Sequence, residues 1–241
     1  MMVSALRAVA AVGASGLLAG PRLAVGTGAS TAPTPSEVVS QAIHDLAGIS
    51  TLTFSGVIDR GRTRISFDLR SAEHGAKSTA SISEGTEAFS VIHIDSTLDL
   101  QTNAAFWATN GGGLPSGLVK LRAPHSVTLP AAEGKSFNAA FGPLADPEKM
   151  ADQLFGGSLT GVRLAGVTTF GDLPVRKLVD QGDDATVDIA RTNTPLPVEF
   201  IAHQKSDAGL VRFGYPAAVT LTAPAGAKSL RQLLSGMAGK L

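Results

Sequence analysis

The chain has 241 residues, 44% hydrophobic and 17% charged, and its twenty basic and twenty acidic side chains give a formal net charge of zero. That is enough chain for one domain with a sizeable core, or at most two small ones. The neutral balance argues against nucleic acid, which demands a basic patch. The absence of cysteine rules out disulfides, thiolate zinc sites and a cysteine nucleophile.

Residues 1–29 read as an export signal. Arg7 is the only charge before Arg22, and the apolar stretch 8–20 is shorter than the roughly 20 residues a membrane-spanning helix takes. Leu17-Leu18-Ala19-Gly20 is similar to a bacterial lipobox, but Pro21 stands where that motif requires the acylated Cys. A lipid anchor is therefore not expected. Cleavage is expected after Gly26 or Ala29, where small residues fill the required positions, and residues 30–35 form a linker to a domain spanning 36–241.

A helix is predicted next, with Ser36 as its N-cap, Val38, Val39, Ala42, Ile43 and Leu46 on one face, and Gly48 as its terminating glycine. Strands follow at 52–59 and 63–71, with Gly61 in the turn between them. In the second, Ile65, Phe67 and Leu69 alternate with Arg64, Ser66, Asp68 and Arg70, so the three apolar residues should share a face. Residues 77–84 read as a polar strand suited to an edge or a solvent-exposed face, followed by strands at 88–95 and 98–101. Asn103-Ala104-Ala105-Phe106-Trp107 carries the only Trp, Gly111-Gly112-Gly113 and Pro115 break regular structure, and residues 120–122 give another short strand.

Asp146-Pro147-Glu148 is a strong helix start: a capping Asp, Pro in the first turn and an early acid. Met150, Leu154 and Phe155 form the apolar side of that helix, and Gly156-Gly157 stop it. Residues 162–201 read as three consecutive antiparallel strands. The first, 166–179, is broken near Gly171 and Pro174 and ends in the turn 181–184; the others are 185–191 and 198–203. A final hairpin at 210–215 and 219–222 and a closing helix at 229–237 complete the chain. Runs of strands with inserted helices, without strict βαβ alternation, indicate α+β with an antiparallel sheet.

The order of these features resembles the LppX/LprG-type envelope lipoproteins of actinobacteria and, more distantly, the LolA-like lipoprotein carriers. The resemblance is carried by Thr53-Phe54-Ser55-Gly56, Val91-Ile92-His93-Ile94-Asp95, Asn103-Ala104-Ala105-Phe106-Trp107, Gly171-Asp172-Leu173-Pro174-Val175, Thr186-Val187-Asp188-Ile189-Ala190, Pro195-Leu196-Pro197 and Arg212-Phe213-Gly214-Tyr215-Pro216. It spans about residues 36–225 and consists of structural patterns, with no catalytic signature. It implies a curved antiparallel half-barrel wrapped around helices, with an apolar cavity for acylated lipid. Leu98-Asp99-Leu100 departs from the pattern, since relatives often carry an aromatic residue there.

A carrier also makes physical sense. Short helices cannot fill the concave side of a half-barrel, and each methylene buried in the remaining space is worth about 0.8 kcal/mol. The residues expected to line it are Phe54, Ile65, Phe67, Leu69, Val91, Leu98, Leu100, Val187, Ile189 and Phe200. The expected partners are an acylated lipid or glycolipid and an envelope membrane transporter, with the protein monomeric and without a cofactor.

Enzyme signatures are weak. Gly134-Lys135-Ser136 lacks the earlier phosphate-loop glycine, since Leu129 stands in its place, and no Gly-x-Ser-x-Gly elbow exists. The five histidines show no close metal-ligand pair, and Asp183-Asp184 reads as a turn. The alternative to a carrier is a LolA-like envelope sensor or scaffold that binds a protein partner, its cavity filled by its own side chains.

Overall fold

The computed structural model describes residues 32–110, 126–129, 142–155, 161–180, 184–204 and 207–229, together with Lys135, Ala139, Gln232 and Ser235. The expected signal segment therefore lies outside the described residues.

Helix α1 spans Pro35–Ala47 and buries Val38, Val39, Ala42 and Leu46. Its N-cap is Thr34, not the expected Ser36, because Pro35 already occupies the first helical turn. The Glu37 N–H donates to the Thr34 hydroxyl at 3.3 Å, and the Glu37 carboxylate accepts from the Thr34 N–H at 2.7 Å. This reciprocal pair satisfies two helix-end donors. The Thr34 N–H and hydroxyl hold the Glu37 carboxyl below its ordinary range. Gly48 does end the helix, but in right-handed geometry at φ −79°, so its role there is not the left-handed turn that favours glycine.

Strands β1 (Leu52–Arg60), β2 (Thr63–Ala72), β3 (Lys77–Glu84), β4 (Glu87–Ile94) and β5 (Thr97–Thr102) form an antiparallel meander. Of the two places expected for β3, an edge or a solvent-exposed face, the edge is corrected: the strand lies between β2 and β4. Its Ser78, Ala80 and Ile82 are buried, and its polar character belongs to the other face. There Ser66 and Ser83 pair at 2.6 Å, and Ser81 and Ser90 at 3.1 Å.

The Trp-bearing stretch is helix α2, Ala104–Asn110, opened by Asn103, whose Oδ1 accepts the Phe106 N–H at 2.9 Å. A two-residue strand β6, Val127–Thr128, follows. Helix α3, Pro147–Phe155, starts as expected. Asp146 Oδ1 accepts the N–H groups of Glu148 at 3.1 Å and Lys149 at 3.3 Å.

Residues 162–201 hold four strands rather than three: β7 (Val162–Phe170), β8 (Leu173–Asp180), β9 (Ala185–Ala190) and β10 (Pro197–Ala202). The break expected near Gly171 is a full reversal. Gly171 takes φ +57°, the conformation a two-residue hairpin turn needs, and Phe170 pairs with Leu173 across it. Strand β11, Asp207–Gly214, pairs with both β1 and β10. With both its edges taken, residues 219–222 find no place beside it, and the expected final hairpin does not form. A short strand β12, Lys228–Ser229, ends the sheet.

Ser229 and Gln232 exchange backbone-to-side-chain hydrogen bonds of 2.8 and 3.2 Å, the arrangement that opens a helix. The body of the expected closing helix lies outside the described residues, as do the strand expected at 120–122, Gly156-Gly157 and most of the turn 181–184.

The strands make one open, curved sheet of twelve in the order β12-β6-β5-β4-β3-β2-β1-β11-β10-β9-β8-β7. Every pairing is antiparallel except β12 with β6. Helices α1 and α3 pack against each other, and their buried residues join one cluster with those of the sheet's inner face. A smaller cluster of Val175, Ala190 and Val198, with Phe170 and Leu173 against it, sits on the outer face of β8–β10. No helix among the described residues is long and apolar enough to cross a membrane.

Candidate functional site

Residues directly opposite in a ladder share a face. Following the pairing from strand to strand therefore sorts the sheet into rows. One inner row runs Thr102, Phe89, Ile82, Phe67, Gly56, Val211, Phe200, Val187, Leu178, Leu164 across ten strands from β5 to β7. It holds no charge. The outer row one residue away runs Gln101, Ser90, Ser81, Asp68, Ser55, Arg212, Glu199, Asp188, Lys177, Gly166. It is polar except for its last member. In it Lys177 Nζ lies 3.1 Å from Asp188 Oδ1, and Arg212 Nε donates to Glu199 Oε2 at 3.0 Å.

A second inner row runs Phe213, Phe54, Leu69, Ala80, Val91, Leu100, Val127. The two rows are stitched by aromatic contacts: Phe54 to Phe67 at 4.9 Å and Phe54 to Phe213 at 6.0 Å between ring centroids. Gly56 permits this. A Cβ there would lie 2.2 Å from the Leu210 carbonyl oxygen and 2.8 Å from the Phe67 ring. At the β5 end Phe106 extends the aromatic cluster, with its ring 5.4 Å from Phe89 and 5.5 Å from Trp107.

All ten residues expected to line a cavity fall on this inner face. Ile65, Phe67 and Leu69 point together from β2, and Ile65 pairs with Ile58. Val187 and Ile189 share it on β9. Leu98 and Leu100 share it on β5. Nine of the ten are no more than 6% exposed; Val187 is partly buried against the same cluster.

The sequence reading missed Leu164 and Val167 on β7, which are 50% and 55% exposed. Strict alternation would put positions three apart on opposite faces. A β-bulge between Leu164 and Gly166 shifts the register, so Leu164 pairs with Leu178 and Val167 with Arg176, both on the inner side. Gly166, at φ +155°, is the residue that accommodates the bulge.

The inner face turns polar along a third row: Leu52, Ser71, Ser78, His93, Leu98. Ser71 donates its hydroxyl to the Ala145 carbonyl. Beyond this row a groove of about 530 Å³ opens between the turn after β2, the end of β4 and the start of α3, lined by His74, His93, Asp146 and Lys149 among others. Among the described residues no group of three or more His, Asp or Glu side chains is placed to hold a metal ion.

No protein-family model matches the chain, and no curated protein matches it. Solved structures do. LprF from Mycobacterium bovis is 14% identical over 80% of this chain and 97% of its own, with a TM-score of 0.51. The lipoprotein LppX of Mycobacterium tuberculosis is 10% identical over 77% of this chain and 96% of its own, with a TM-score of 0.43. An uncharacterised conserved protein from Thermus thermophilus is 12% identical over 81% of this chain and 97% of its own, with a TM-score of 0.38. The likeness to LprF is one of architecture: an open, curved, mostly antiparallel half-barrel sheet with few helices is the fold of this chain.

Proposed function

We propose that this chain is an exported, non-catalytic carrier that holds acylated lipid against the inner face of its sheet and moves it across the cell envelope. On this reading residues 1–29 direct export, the domain from residue 36 onward is the carrier, and Pro21 leaves the mature protein without a lipid anchor.

The observation that carries the proposal is the ten-strand inner row, which runs free of charge and ends on exposed Leu164. Among the described residues Leu164 and Val167 are the large apolar side chains left exposed, and both continue the inner face. The helices supply limited cover. At 1.5 Å per residue α1 and α3 are about 20 and 14 Å long, whereas ten strands span roughly 43 Å along the sheet. Acyl chains laid on apolar surface gain about 0.8 kcal/mol per methylene, which offsets the ordering cost of a long chain. The ten inner-face residues, from Phe54 to Phe200, are the proposed lipid contacts.

One observation favours a second reading, an envelope scaffold that binds a protein partner. Nine of the ten contacts are already buried, so lipid reaches them only by displacing what covers them. Val187→Trp separates the two. In a carrier it fills space that lipid would occupy, so bound lipid is lost while the melting temperature holds. In a permanently packed core it costs about 1–3 kcal/mol through overpacking, and the parent protein carries no lipid.

A further inference from the structure

We propose that the groove between His74, His93 and Lys149 binds a phosphate-ester head group, that of the lipid whose chains lie on the inner face; this rests on the carrier reading above. Three observations converge on it.

The first is the chemistry of the lining. His74, His93 and Lys149 bring hydrogen-bond donors from three separate elements to one groove of about 530 Å³. Asp146 is the one carboxylate in that lining, and its oxygens are engaged. Oδ1 accepts the Glu148 and Lys149 N–H groups, and Oδ2 lies 2.7 Å from Lys149 Nζ. The Lys149 ammonium has three donor hydrogens and its side chain is 64% exposed, so donors remain for an incoming acceptor. A phosphate ester presents acceptor oxygens and negative charge to such donors, and charge-assisted hydrogen bonds are about twice as strong as neutral ones.

The second is the backbone that presents His74. Glu73 and His74 hold consecutive left-handed conformations, φ 53° and 52°, which is costly for residues with a Cβ. Gly75 follows at φ +90°, where an added Cβ would lie 3.1 Å from the Ala145 carbonyl oxygen. The turn that carries His74 thereby sits against the segment that opens α3. The Glu73 carboxylate is paired with Lys77 at 2.5 Å.

The third is the polar row leading inward. Ser78 pairs across the ladder with His93 and Ser71, and is fully buried. Its Oγ makes no hydrogen bond among the described residues. A hydroxyl in that position costs free energy unless it meets a polar partner, and its ladder partner His93 lines the groove. From β4 to the β7 edge the sheet spans eight strand spacings, roughly 38 Å. A lipid with its head group in the groove would lay its chains along the apolar rows toward that edge.

The test compares dioleoyl phosphatidic acid with dioleoylglycerol, presented to the full chain in the same mixed micelles, so that only the phosphate differs. The expected result is a preference for phosphatidic acid of about tenfold or more, the effect of a well-placed charge-assisted contact. Lys149→Gln and His93→Asn should each bring the ratio of affinities toward one. Millimolar inorganic phosphate should leave the preference in place. A wild-type ratio near one, or a ratio unchanged in both variants, overturns the proposal while leaving the carrier reading intact. Preference abolished by inorganic phosphate assigns the groove to a free anion and overturns the head-group assignment. Failure of both lipids to bind rejects the carrier reading and this inference with it. Should His93→Asn unfold, both lipids are lost together, and Lys149→Gln, on an exposed side chain, decides.

Discussion

Two positions in one row of side chains are treated differently by the fold. Phe67 and Leu164 lie on the same inner row, yet Phe67 is 6% exposed and Leu164 is 50% exposed. Around Phe67 the strands are neighboured on both sides, the aromatic rings interlock, and the clustered residues of α1 and α3 complete the core. Around Leu164 the sheet has reached its edge strand, no residue of β7 is buried, and a bulge turns inward two apolar residues that stay exposed. Apolar composition sets which face a residue takes; neighbouring elements decide whether that face is filled. A carrier needs both conditions: a firm wall, and a stretch of the same wall still free for a ligand.

The comparison breaks first at the firm end. Phe54→Ala removes the ring that contacts both Phe67 and Phe213, and should cost about 3–5 kcal/mol in urea unfolding. Gly56→Ala tests the close approach beneath the Phe67 ring. Its added Cβ meets backbone at 2.2 Å, so the strands must shift, at a cost of about 1–3 kcal/mol. A neutral outcome would mean that β1 and β11 are less tightly seated than the geometry requires.

The helices that cover the inner face are held at their starts, and smaller effects are expected there. Thr34→Ala removes one half of the α1 capping box and should cost about 1 kcal/mol. Asp146→Ala at the start of α3 should cost a similar amount at neutral pH. Burial pushes the Asp146 carboxyl up, but hydrogen bonds and charge from Lys149, with the Glu148 N–H, outweigh it and hold the group below its usual range. A depressed carboxyl stabilises the fold above the unfolded-state pKa, roughly 3.9, and the contribution fades as pH falls through the lower folded value. The difference between wild type and Asp146→Ala should therefore shrink below about pH 4 in chemical unfolding. At the loose end, Leu164→Ala should change stability by no more than about 0.5 kcal/mol, and under the carrier reading its effect falls on bound lipid.

Much of this fold was legible because alternation is a local signal. The side chains of β2 declare their faces within ten residues, and Val187 and Ile189 do the same on β9. The Asp146-Pro147-Glu148 helix start also follows from adjacent residues. What was not legible depends on conformation or on partners far away in the chain. The reversal at Gly171-Asp172 looks like a mere break, since apolar residues flank it on both sides and only the positive φ of Gly171 separates kink from hairpin. The inner position of Val167 depends on a bulge that flips the phase of alternation. The failure of residues 219–222 to pair follows from β1 and β10 having already occupied β11. The groove was invisible for the same reason: His74, His93 and Lys149 belong to a turn, a strand and a helix that only the folded topology brings together.

The central claim, that the inner face carries acylated lipid, is tested most directly by purifying the folded chain from its native host and analysing the organic extract by mass spectrometry. The carrier account predicts a discrete acylated lipid near one mole per mole of wild-type protein, and its loss from Val187→Trp at an unchanged melting temperature. A well-folded wild-type protein that yields no lipid above the background of a control protein would contradict it and leave the scaffold reading in its place.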